Sequence, residues 1–337
     1  MPITLEFPST LDIPPAWASS AEQILQHRWR TILVLGAVDR GKSTYCDFLA
    51  QRCLEAGRRV AVLDADVGQK AIGPPATLTL GYPQLGQPLT ATPPAAWYFI
   101  GAITPVGHLL PVVVGVKRLL DTAQATCLIV NTTGLVHGIG RVLKSYKIDT
   151  VQPDAIVALE QGRELRALLH AYRHYHILRL PVSTYAIAKT SAQRRATRAQ
   201  AFGAYFAAAS MVTLPLRQVI FQRGLLFTGR QVVRKDEIYT EHTSEGMLAV
   251  GTTKQPTPSD RHVLPLGFEH HLLCGVANRQ DRGLGLALID HIDFANETLT
   301  IYTPVPAAQI GVLQWGELYI RPDGSEGGTP VPRSLFM

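Results

Sequence analysis

A glycine-rich loop near residue 40 carries the clearest chemical signal in the sequence. The stretch GAVDRGKST (residues 36–44) follows the apolar run TILVL and precedes a segment of helical composition. Its glycines, lysine and serine fit the spacing G-x-x-x-x-G-K-[ST], in which backbone N–H groups surround phosphates, the lysine reaches the β- and γ-phosphates and the hydroxyl ligates Mg²⁺. The stretch therefore predicts a nucleoside triphosphate site with magnesium. We expect the nucleotide to contact Gly36, Asp39, Arg40, Gly41, Lys42, Ser43 and Thr44.

Two aspartates that follow the apolar run RRVAVL supply the acid chemistry that this loop lacks. Asp64 and Asp66 are two residues apart, so they can share one face of an extended chain. One carboxylate can hold a water of the Mg²⁺ shell while the other accepts the proton of an attacking hydroxyl. We assign the metal shell to Asp64, together with Ser43, and the proton to Asp66. The run CLIVN ends in Asn131, where many P-loop proteins place an aspartate.

The elements that must position these residues alternate between strand and helix. Short β-rich apolar runs predict strands at residues 31–35, 60–64, 97–100, 127–131, 155–159 and 176–180. Segments of helical composition predict helices near residues 43–56, 109–123, 162–170 and 191–210. This order predicts a P-loop NTPase-type α/β fold with a doubly wound, mostly parallel sheet.

The chain is long enough for two domains, because single cores rarely grow beyond about 250–300 residues. After residue 213 the sequence changes to short β-type runs separated by Gly, Asn, Asp and Pro, which predicts a smaller C-terminal β-rich domain. We expect a P-loop domain over residues 26–213 and the β-rich domain over residues 214–337, with a flexible tail at PDGSEGGTPVPR. The proline-rich residues 1–25 predict an extended arm or an edge hairpin.

Composition excludes several classes of protein. No apolar run approaches the ~20 residues of a membrane helix, and the amino-terminal sequence lacks the pattern of a secretory signal, so we expect a cytoplasmic protein. The four cysteines are scattered without a CxxC pair, which favours reduced thiols over disulfides or zinc. A net charge of +6 weakly favours a polyanionic partner, although a high arginine content also has a compositional explanation.

The loop alone does not name a reaction, because motors, switches and kinases share it. No NKxD-type sequence that reads guanine is present, which disfavours a switch GTPase. The resemblance given below implies a kinase of polynucleotide ends or, as an alternative, a nucleotide-dependent module for the assembly of RNA-processing complexes. A kinase of a small metabolite is the other alternative. The intact Lys42, Ser43, Asp64 and Asp66 argue against an inactive scaffold, and the extra β-rich region and basic charge argue against a small acceptor.

Four stretches, in order along the chain, resemble one family, the P-loop polynucleotide 5′-hydroxyl kinases of RNA processing and ribosomal RNA maturation. They are GAVDRGKST, DADVGQ (residues 64–69), YFIGAITP (residues 98–105) and NTTGLVHGIG (residues 131–140). The C-terminal LGLALIDHIDFANETLTIYTPV and GVLQWGELYI are similar to the β-rich end of the family. The resemblance covers most of residues 30–320 and is typical of a prokaryotic member.

The resemblance implies transfer of the γ-phosphate of ATP, or another NTP, to the 5′-hydroxyl of single-stranded RNA or DNA, with Mg²⁺. The family holds the terminal nucleotide with a clasp whose tryptophan stacks on a base, and this chain has Leu135 at that position. A helix over residues 191–210 would supply a lid whose arginines, Arg194 and Arg198, close over the triphosphate. The implied substrate contacts are Gln69, Thr104, Thr132, Thr133, Gly134, Leu135 and His137.

Overall fold

The computed structural model describes residues 13–234, 237–251, 261–328, 331–332 and 335–336. The chain divides into two compact units. The first comprises Met1–Tyr98 and Ile103–Arg194, and the second comprises Phe99–Ala102 and Arg195–Met337. This division falls before the domain boundary expected at residue 213, which stays a prediction.

A mostly parallel sheet organises the first unit. The strands are β1 (Thr31–Gly36), β2 (Val60–Ala65), β3 (Thr77–Gly81), β4 (Pro94–Phe99), β5 (Cys127–Thr132), β6 (Ala155–Glu160) and β7 (His176–Pro181). Their order is β7-β6-β1-β5-β2-β3-β4. Strand β1 pairs in parallel with β5 and β6, β5 with β2, and β6 with β7, whereas β2 and β3 are antiparallel. The predicted α/β fold is confirmed, and all six strands predicted for this unit are present.

Helices cover both faces of this sheet. They are α1 (Pro15–Gln26), α2 (Lys42–Glu55), α3 (Leu109–Thr122), α4 (Ile139–Val151) and α5 (Arg166–Ala171), and α6 (Ser191–Phe206) crosses the division between the units. Alternate residues of β1, Ile32 and Val34, pack in one core with α1 and α2. Strand residues in between, such as Leu33 and Leu35, are also buried, and α3 and α4 pack on the sheet from that side. The buried sheet explains why its strands read as continuous apolar runs.

The amino-terminal prediction is wrong where the structure describes it. We expected an extended arm or hairpin, but α1 begins at Pro15 and buries Trp17 completely. Proline is favoured in the first turn of a helix, because its missing N–H has no partner there anyway. The Trp17 indole packs against Tyr45 and donates to the carbonyl of Pro181 at 3.0 Å. Residues 1–12 of the predicted arm lie outside the described residues.

The second unit is rich in strands, as the sequence predicts. Its strands are β8 (Ser210–Pro215), β9 (Ile220–Gln222), β10 (Arg230–Gln231), β11 (Tyr239–Thr243), β12 (Gly246–Val250), β13 (Arg261–Leu264), β14 (Leu272–Ala277), β15 (Gly283–Asp293), β16 (Thr298–Thr303) and β17 (Val312–Tyr319). Strands β15, β14, β17 and β9 are neighbours in that order, and β16 joins β15 to β8. Strands β10 to β13 form a separate four-stranded sheet.

The tail that we expected to be flexible makes specific contacts in this unit. Glu326 forms an ion pair with Arg198, and Leu335, two residues beyond this tail, is fully buried. The four cysteines are free and buried, in keeping with the predicted reduced thiols. Three short 3-10 turns, Leu89–Ala91, Leu216–Gln218 and Ala307–Gln309, complete the described elements. In the part of the chain that the structure describes, every helix is too short or too polar to cross a membrane.

Candidate functional site

The phosphate loop connects β1 to α2 and presents its backbone at the amino end of that helix. Gly41 precedes α2 in a left-handed conformation, with φ +78°, and offers no side chain to cap the first N–H groups. Those N–H groups have no carbonyl partner within the helix and attract anions. Gly36 admits no side chain, because a Cβ there would lie 2.9 Å from the Leu159 carbonyl oxygen. The loop can therefore hold phosphate oxygens against its backbone.

Lys42 is folded back onto this loop. Its Nζ donates to the carbonyl of Ala37 at 2.7 Å, and only 7% of the residue is exposed. Burial lowers the pKa of Lys42 below its ordinary value, and the negative charge of Asp66 opposes that shift. An ammonium group has three donors, so two remain for phosphate oxygens when Ala37 accepts one.

A hydrogen-bonded chain of three side chains joins the loop to the ends of two strands. Asn131, at the end of β5, donates from Nδ2 to the Ser43 hydroxyl at 3.2 Å and to Asp64 Oδ1 at 3.1 Å. Asp64 lies near the end of β2, which is the parallel neighbour of β5, and the two residues are in register. Sequence reasoning treated Asn131 as an absent acid. The structure instead makes Asn131 the link between the nucleotide loop and the acidic turn, residues 64–69, which carries Asp64 and Asp66.

Asp64 is fully buried and saturated with donors. Its Oδ2 accepts the N–H groups of Ala71 at 2.7 Å and Ile72 at 3.1 Å, and Lys70 Nζ lies 3.4 Å from the same oxygen. Its Oδ1 accepts the N–H of Asp66 at 3.2 Å, besides the Asn131 amide. A buried carboxylate needs such partners, because desolvation of an unpaired charge is very costly. Asp64 is thus a structural anchor of the turn as well as a candidate for the metal shell.

The donor set near Asn131 suits a magnesium ion. Ser43 offers a hydroxyl and Asp64 a carboxylate, both of which are oxygen ligands that Mg²⁺ prefers. Asn131 Oδ1 is buried and accepts no hydrogen bond from any described residue. An unsatisfied buried acceptor is costly in the folded protein, and a water of a metal shell would satisfy it. We conclude that the residues present fit the predicted ion.

Asp66 has a different environment. Its Oδ1 accepts the N–H groups of Gly68 at 2.9 Å and Gln69 at 3.1 Å, which folds the acidic turn. Among the described residues no hydrogen bond reaches its Oδ2, so one carboxylate oxygen is open to accept a proton. Four lysines lie within electrostatic reach of this carboxylate: Lys42, Lys70, Lys144 and Lys147.

Two of these lysines, Lys144 and Lys147, were missed by sequence reasoning. Both are fully buried on α4. Lys144 donates to the carbonyl and the hydroxyl of Thr133, and Lys147 donates to the carbonyl of Ala65 at 3.1 Å. Burial lowers the pKa of Lys144 well below its ordinary value and that of Lys147 to about 8. Buried lysines without an ion pair among the described residues are costly, which marks them as functional candidates.

The sequence does contain a signal for these lysines. The buried residues of α4 are Gly140, Leu143, Lys144, Lys147, Ile148 and Val151. Their spacing follows the period of an amphipathic helix, and the two lysines fall on the apolar side of it. We predicted no helix at these positions, and without a helix the two lysines share no apolar face.

The clasp loop, residues 131–140, begins at the end of β5 and packs closely against the phosphate loop. A Cβ on Gly134 would lie 2.6 Å from the backbone N and Cα of Val38, so only glycine permits this approach. Thr132 is fully buried, and its hydroxyl donates to the Val34 carbonyl at 2.8 Å. Thr133 is also buried and is held by Lys144. The structure thus brings the clasp to the nucleotide loop, while the two threonine hydroxyls face the protein.

Other predicted substrate contacts lie at the surface. Leu135 is half-buried and His137 is exposed in the same loop, which leaves both accessible to a ligand. Thr104 is exposed too, and its hydroxyl accepts the N–H of Val106 at 3.3 Å. Thr44 is exposed in the first turn of α2. Their roles stay predictions.

Charged side chains of the loop have protein partners. Arg40 donates to Glu164 at 3.1 Å and to Gln161 at 2.6 Å. Asp39 has a positive φ of 59°, and its Oδ2 accepts the N–H of Lys189 at 2.9 Å.

The start of α6 reaches the same loop. Arg194 forms an ion pair with Asp39. The side-chain amide of Gln69 donates to the Arg194 carbonyl at 3.4 Å, so the acidic turn also touches this helix. Arg198, on the same helix, pairs with Glu326 within the second unit. The roles of the two arginines as lid residues stay predictions.

Comparison with known proteins gives consistent matches over most of the chain. The family model for the mRNA cleavage and polyadenylation factor CLP1 P-loop matches residues 36–208. The chain is 31% identical to the polyribonucleotide 5′-hydroxyl-kinase of Pyrococcus furiosus, over 95% of this chain and 96% of that protein. It is 30% identical to the enzyme of the same name from Methanocaldococcus jannaschii, over 88% of this chain and 89% of that protein.

Solved structures share the fold at much lower identity. A wild-type Clp1p–Pcf11p complex superposes with a TM-score of 0.62 at 12% identity, over 90% of this chain and 78% of that chain. A second structure of the Pcf11p and Clp1p interface gives a TM-score of 0.61 at 11% identity, over 92% and 82%. These values establish a common fold and carry no information about partners.

Proposed function

The chain belongs to the CLP1 P-loop family, and we propose that it is a polynucleotide 5′-hydroxyl kinase that transfers the γ-phosphate of ATP to the 5′ end of single-stranded RNA. Membership of this family implies an NTP-dependent phosphotransferase. RNA is the acceptor in this proposal because the relatives from Pyrococcus furiosus and Methanocaldococcus jannaschii are named for polyribonucleotides.

One observation carries the proposal: the side-chain link Ser43–Asn131–Asp64 joins the nucleotide loop to the acidic turn and the clasp loop. Phosphoryl transfer requires the donor phosphates, the acceptor hydroxyl and a proton acceptor to be held in one geometry. In this proposal the phosphate loop holds the donor phosphates, and the clasp, in contact with that loop at Val38, holds the acceptor hydroxyl. Asp66, with its open oxygen, is the proton acceptor.

In the proposed reaction the acceptor's 5′-oxygen attacks the γ-phosphorus of ATP, the bond from that phosphorus to the β,γ-bridging oxygen breaks, and ADP leaves. The hydroxyl proton passes to Asp66 Oδ2. Lys42, and Arg194 once it leaves Asp39, neutralise charge on the transferring group, since charge stabilisation is the main contribution of such sites. Arg198 is assigned to the same lid helix.

Magnesium belongs to this proposal through the residues that would hold it. Ser43 and Asp64 are the candidate ligands, directly or through water, and Asn131 Oδ1 completes the set of oxygens. When bound, the ion neutralises phosphate charge. Among the remaining assignments, Gln69, Thr104, Leu135 and His137 are accessible to the terminal nucleotide, because none of them is fully buried.

The test is an acceptor comparison with γ-labelled ATP and Mg²⁺. We expect label on 5′-hydroxyl RNA, and none on the same RNA that already carries a 5′-phosphate or on free nucleosides. Transfer to nucleosides alone would instead favour a metabolite kinase. The absence of any transfer, with ATP bound normally, would favour an assembly module.

A further inference from the structure

A cavity of about 810 Å³ lies at the amino-terminal edge of the sheet in the first unit, away from the site described above. Arg30 immediately precedes β1, Arg59 immediately precedes β2, and Thr126 immediately precedes β5. Arg28 and Arg58 complete the polar lining. The phosphate loop and the acidic turn follow the carboxyl ends of the same strands, so the cavity is at the opposite edge.

Four arginines around one cavity concentrate positive charge there. The described residues that line it include no aspartate or glutamate. Arg28, Arg30 and Arg59 are exposed, and their side chains form no hydrogen bond or ion pair with the described chain. Two carboxylates lie nearby but outside the lining: Glu55 pairs with Arg52, and Asp154 accepts the backbone N–H groups of Arg30 and Thr31, so it offsets one of the four positive charges.

None of the four cavity arginines forms an ion pair with a carboxylate of the described residues, whereas several arginines elsewhere in the chain do. Arg40, Arg179, Arg194 and Arg198 each pair with a carboxylate. In the cavity only Arg58 is anchored, by donating from Nη2 to the carbonyls of Trp29 at 2.8 Å and of Thr126. Its Nη1 is buried and has no acceptor among the described residues. Like charges gathered in this way destabilise a protein unless an anion offsets them.

We propose that this arginine cavity binds backbone phosphates of the RNA substrate, downstream of the 5′ end that is phosphorylated. The inference rests on the proposed function for the choice of RNA. Planar guanidinium groups match phosphate oxygens in pairs, and a backbone with one charge per nucleotide can engage several arginines together. A single small anion would need only one or two of them.

The position of the cavity sets the length of RNA that can reach it. The central strands are six residues long, which separates the two edges of the sheet by about 20 Å. RNA held by its 5′ end at one edge must pass around the unit to the other. Short oligonucleotides therefore end before the cavity, whereas long ones reach it.

The experiment compares RNAs of about four and about twenty-four nucleotides, lengths that bracket the usual footprint of single-strand sites. The test variant is Arg28→Gln with Arg59→Gln, which removes two exposed charges that the fold does not use. The matched control is Arg217→Gln with Arg282→Gln, two exposed arginines of the second unit. Fluorescence anisotropy gives Kd at several salt concentrations, and the kinase assay gives KM and kcat.

For the long RNA we expect the cavity variant to raise Kd and KM about tenfold. The slope of log K against log salt should become less steep by about 1.4, which is about 0.7 for each of two lost phosphate contacts. The kcat for either RNA, the KM for the short RNA and the control variant should be unchanged. An unchanged long-RNA Kd and salt slope would overturn the proposal, and so would equal losses for both lengths. Because anisotropy reports binding without turnover, a failure of the kinase assignment would appear separately, as wild-type protein that binds long RNA without phosphorylating it.

Discussion

At the residue scale, the two aspartates of the acidic turn have opposite surroundings and should respond differently to the same substitution. Asp66 has an oxygen without a described donor and forms no ion pair with the described residues. Asp66→Asn should therefore reduce kcat by several orders of magnitude while ATP and RNA bind with near-normal Kd, because a proton acceptor matters mainly as the hydroxyl attacks. Rapid-quench turnover and binding titrations measure the two effects.

Asp64→Asn provides the comparison, since it removes a fully buried charge that faces Lys70 at 3.4 Å and several N–H donors. It should lower the free energy of unfolding by roughly 3 kcal/mol, the usual cost of breaking a buried ion pair. Asp66→Asn should cost clearly less. If Asp66→Asn were fully active, or if the two stability losses were reversed, the division of roles between the acids would be wrong.

Lys147 makes a prediction about pH. Its pKa is about 8 in the folded protein, below the ordinary value of 10.5, mainly because the group is buried. Between pH 8 and 10.5 the Lys147 side chain holds its proton in the unfolded chain and not in the folded chain. The free energy of unfolding therefore rises with pH through this window, and below it that free energy is smaller by about 3 kcal/mol. Lys147→Met should therefore raise the Tm at pH 7.

The advantage of Lys147→Met should shrink as the pH rises from 8 to about 10.5, because the wild-type lysine is then neutral in both states. Thermal melts of both proteins across this range give the comparison. A variant that is less stable at pH 7, with the same pH dependence as wild type, would mean that the ammonium is well solvated or paired.

At the element scale, the contact between the clasp and the phosphate loop depends on a missing side chain. Gly134→Ala would place a Cβ 2.6 Å from the Val38 backbone, so one of the two loops must move. We expect weaker binding of both ATP and RNA, by about tenfold or more, since a shift of about 1 Å in positioning is costly in such sites. Gly251→Ala, whose Cβ would have none of the described residues within 4 Å, is the matched control. Equal behaviour of both variants would show that the loops adapt freely.

Leu135 offers a gain-of-function test in the same loop. The side chain is half-buried, and the sequence resemblance implies a stacking tryptophan at this position. Leu135→Trp should tighten the binding of 5′-hydroxyl oligonucleotides by about 1–3 kcal/mol, the usual value of one base on an aromatic ring. Anisotropy with single-stranded RNA measures this change. Unchanged or weaker binding at every length would mean that no base lies against this residue.

Elements of the first unit were predictable where their pattern is strong and not where two signals conflict. The strands of the parallel sheet read as continuous apolar runs because both faces are buried. The sequence at the start of α1 carries two conflicting signals, because Pro14 and Pro15 are typical of breakers and turns, yet proline is also favoured in the first turn of a helix. Strand β3 has five residues, and its sequence TLTLG contains only two repeats of the alternation between polar and apolar residues that predicts a strand.

At the scale of the whole molecule, the sequence predicted the site's components better than their connections. Lys42, Ser43 and Asp64 are recognisable from type and spacing. The role of Asn131 is not, because its value lies in two hydrogen bonds that exist only when β2, β5 and the loop are adjacent. The arginine cavity is likewise invisible in sequence, since its members come from three separate segments.

The central claim is that this chain phosphorylates polynucleotide 5′ ends through the phosphate loop. The most direct measurement incubates wild-type protein and Lys42→Ala with γ-labelled ATP, Mg²⁺ and a 5′-hydroxyl RNA, and then locates the label by digestion to mononucleotides. We predict label on the 5′-terminal nucleotide for wild type and none for Lys42→Ala. The melting curves should be equal, because among the described residues the Lys42 ammonium donates to its own loop alone. Label at another position, or equal transfer by Lys42→Ala, would contradict the account.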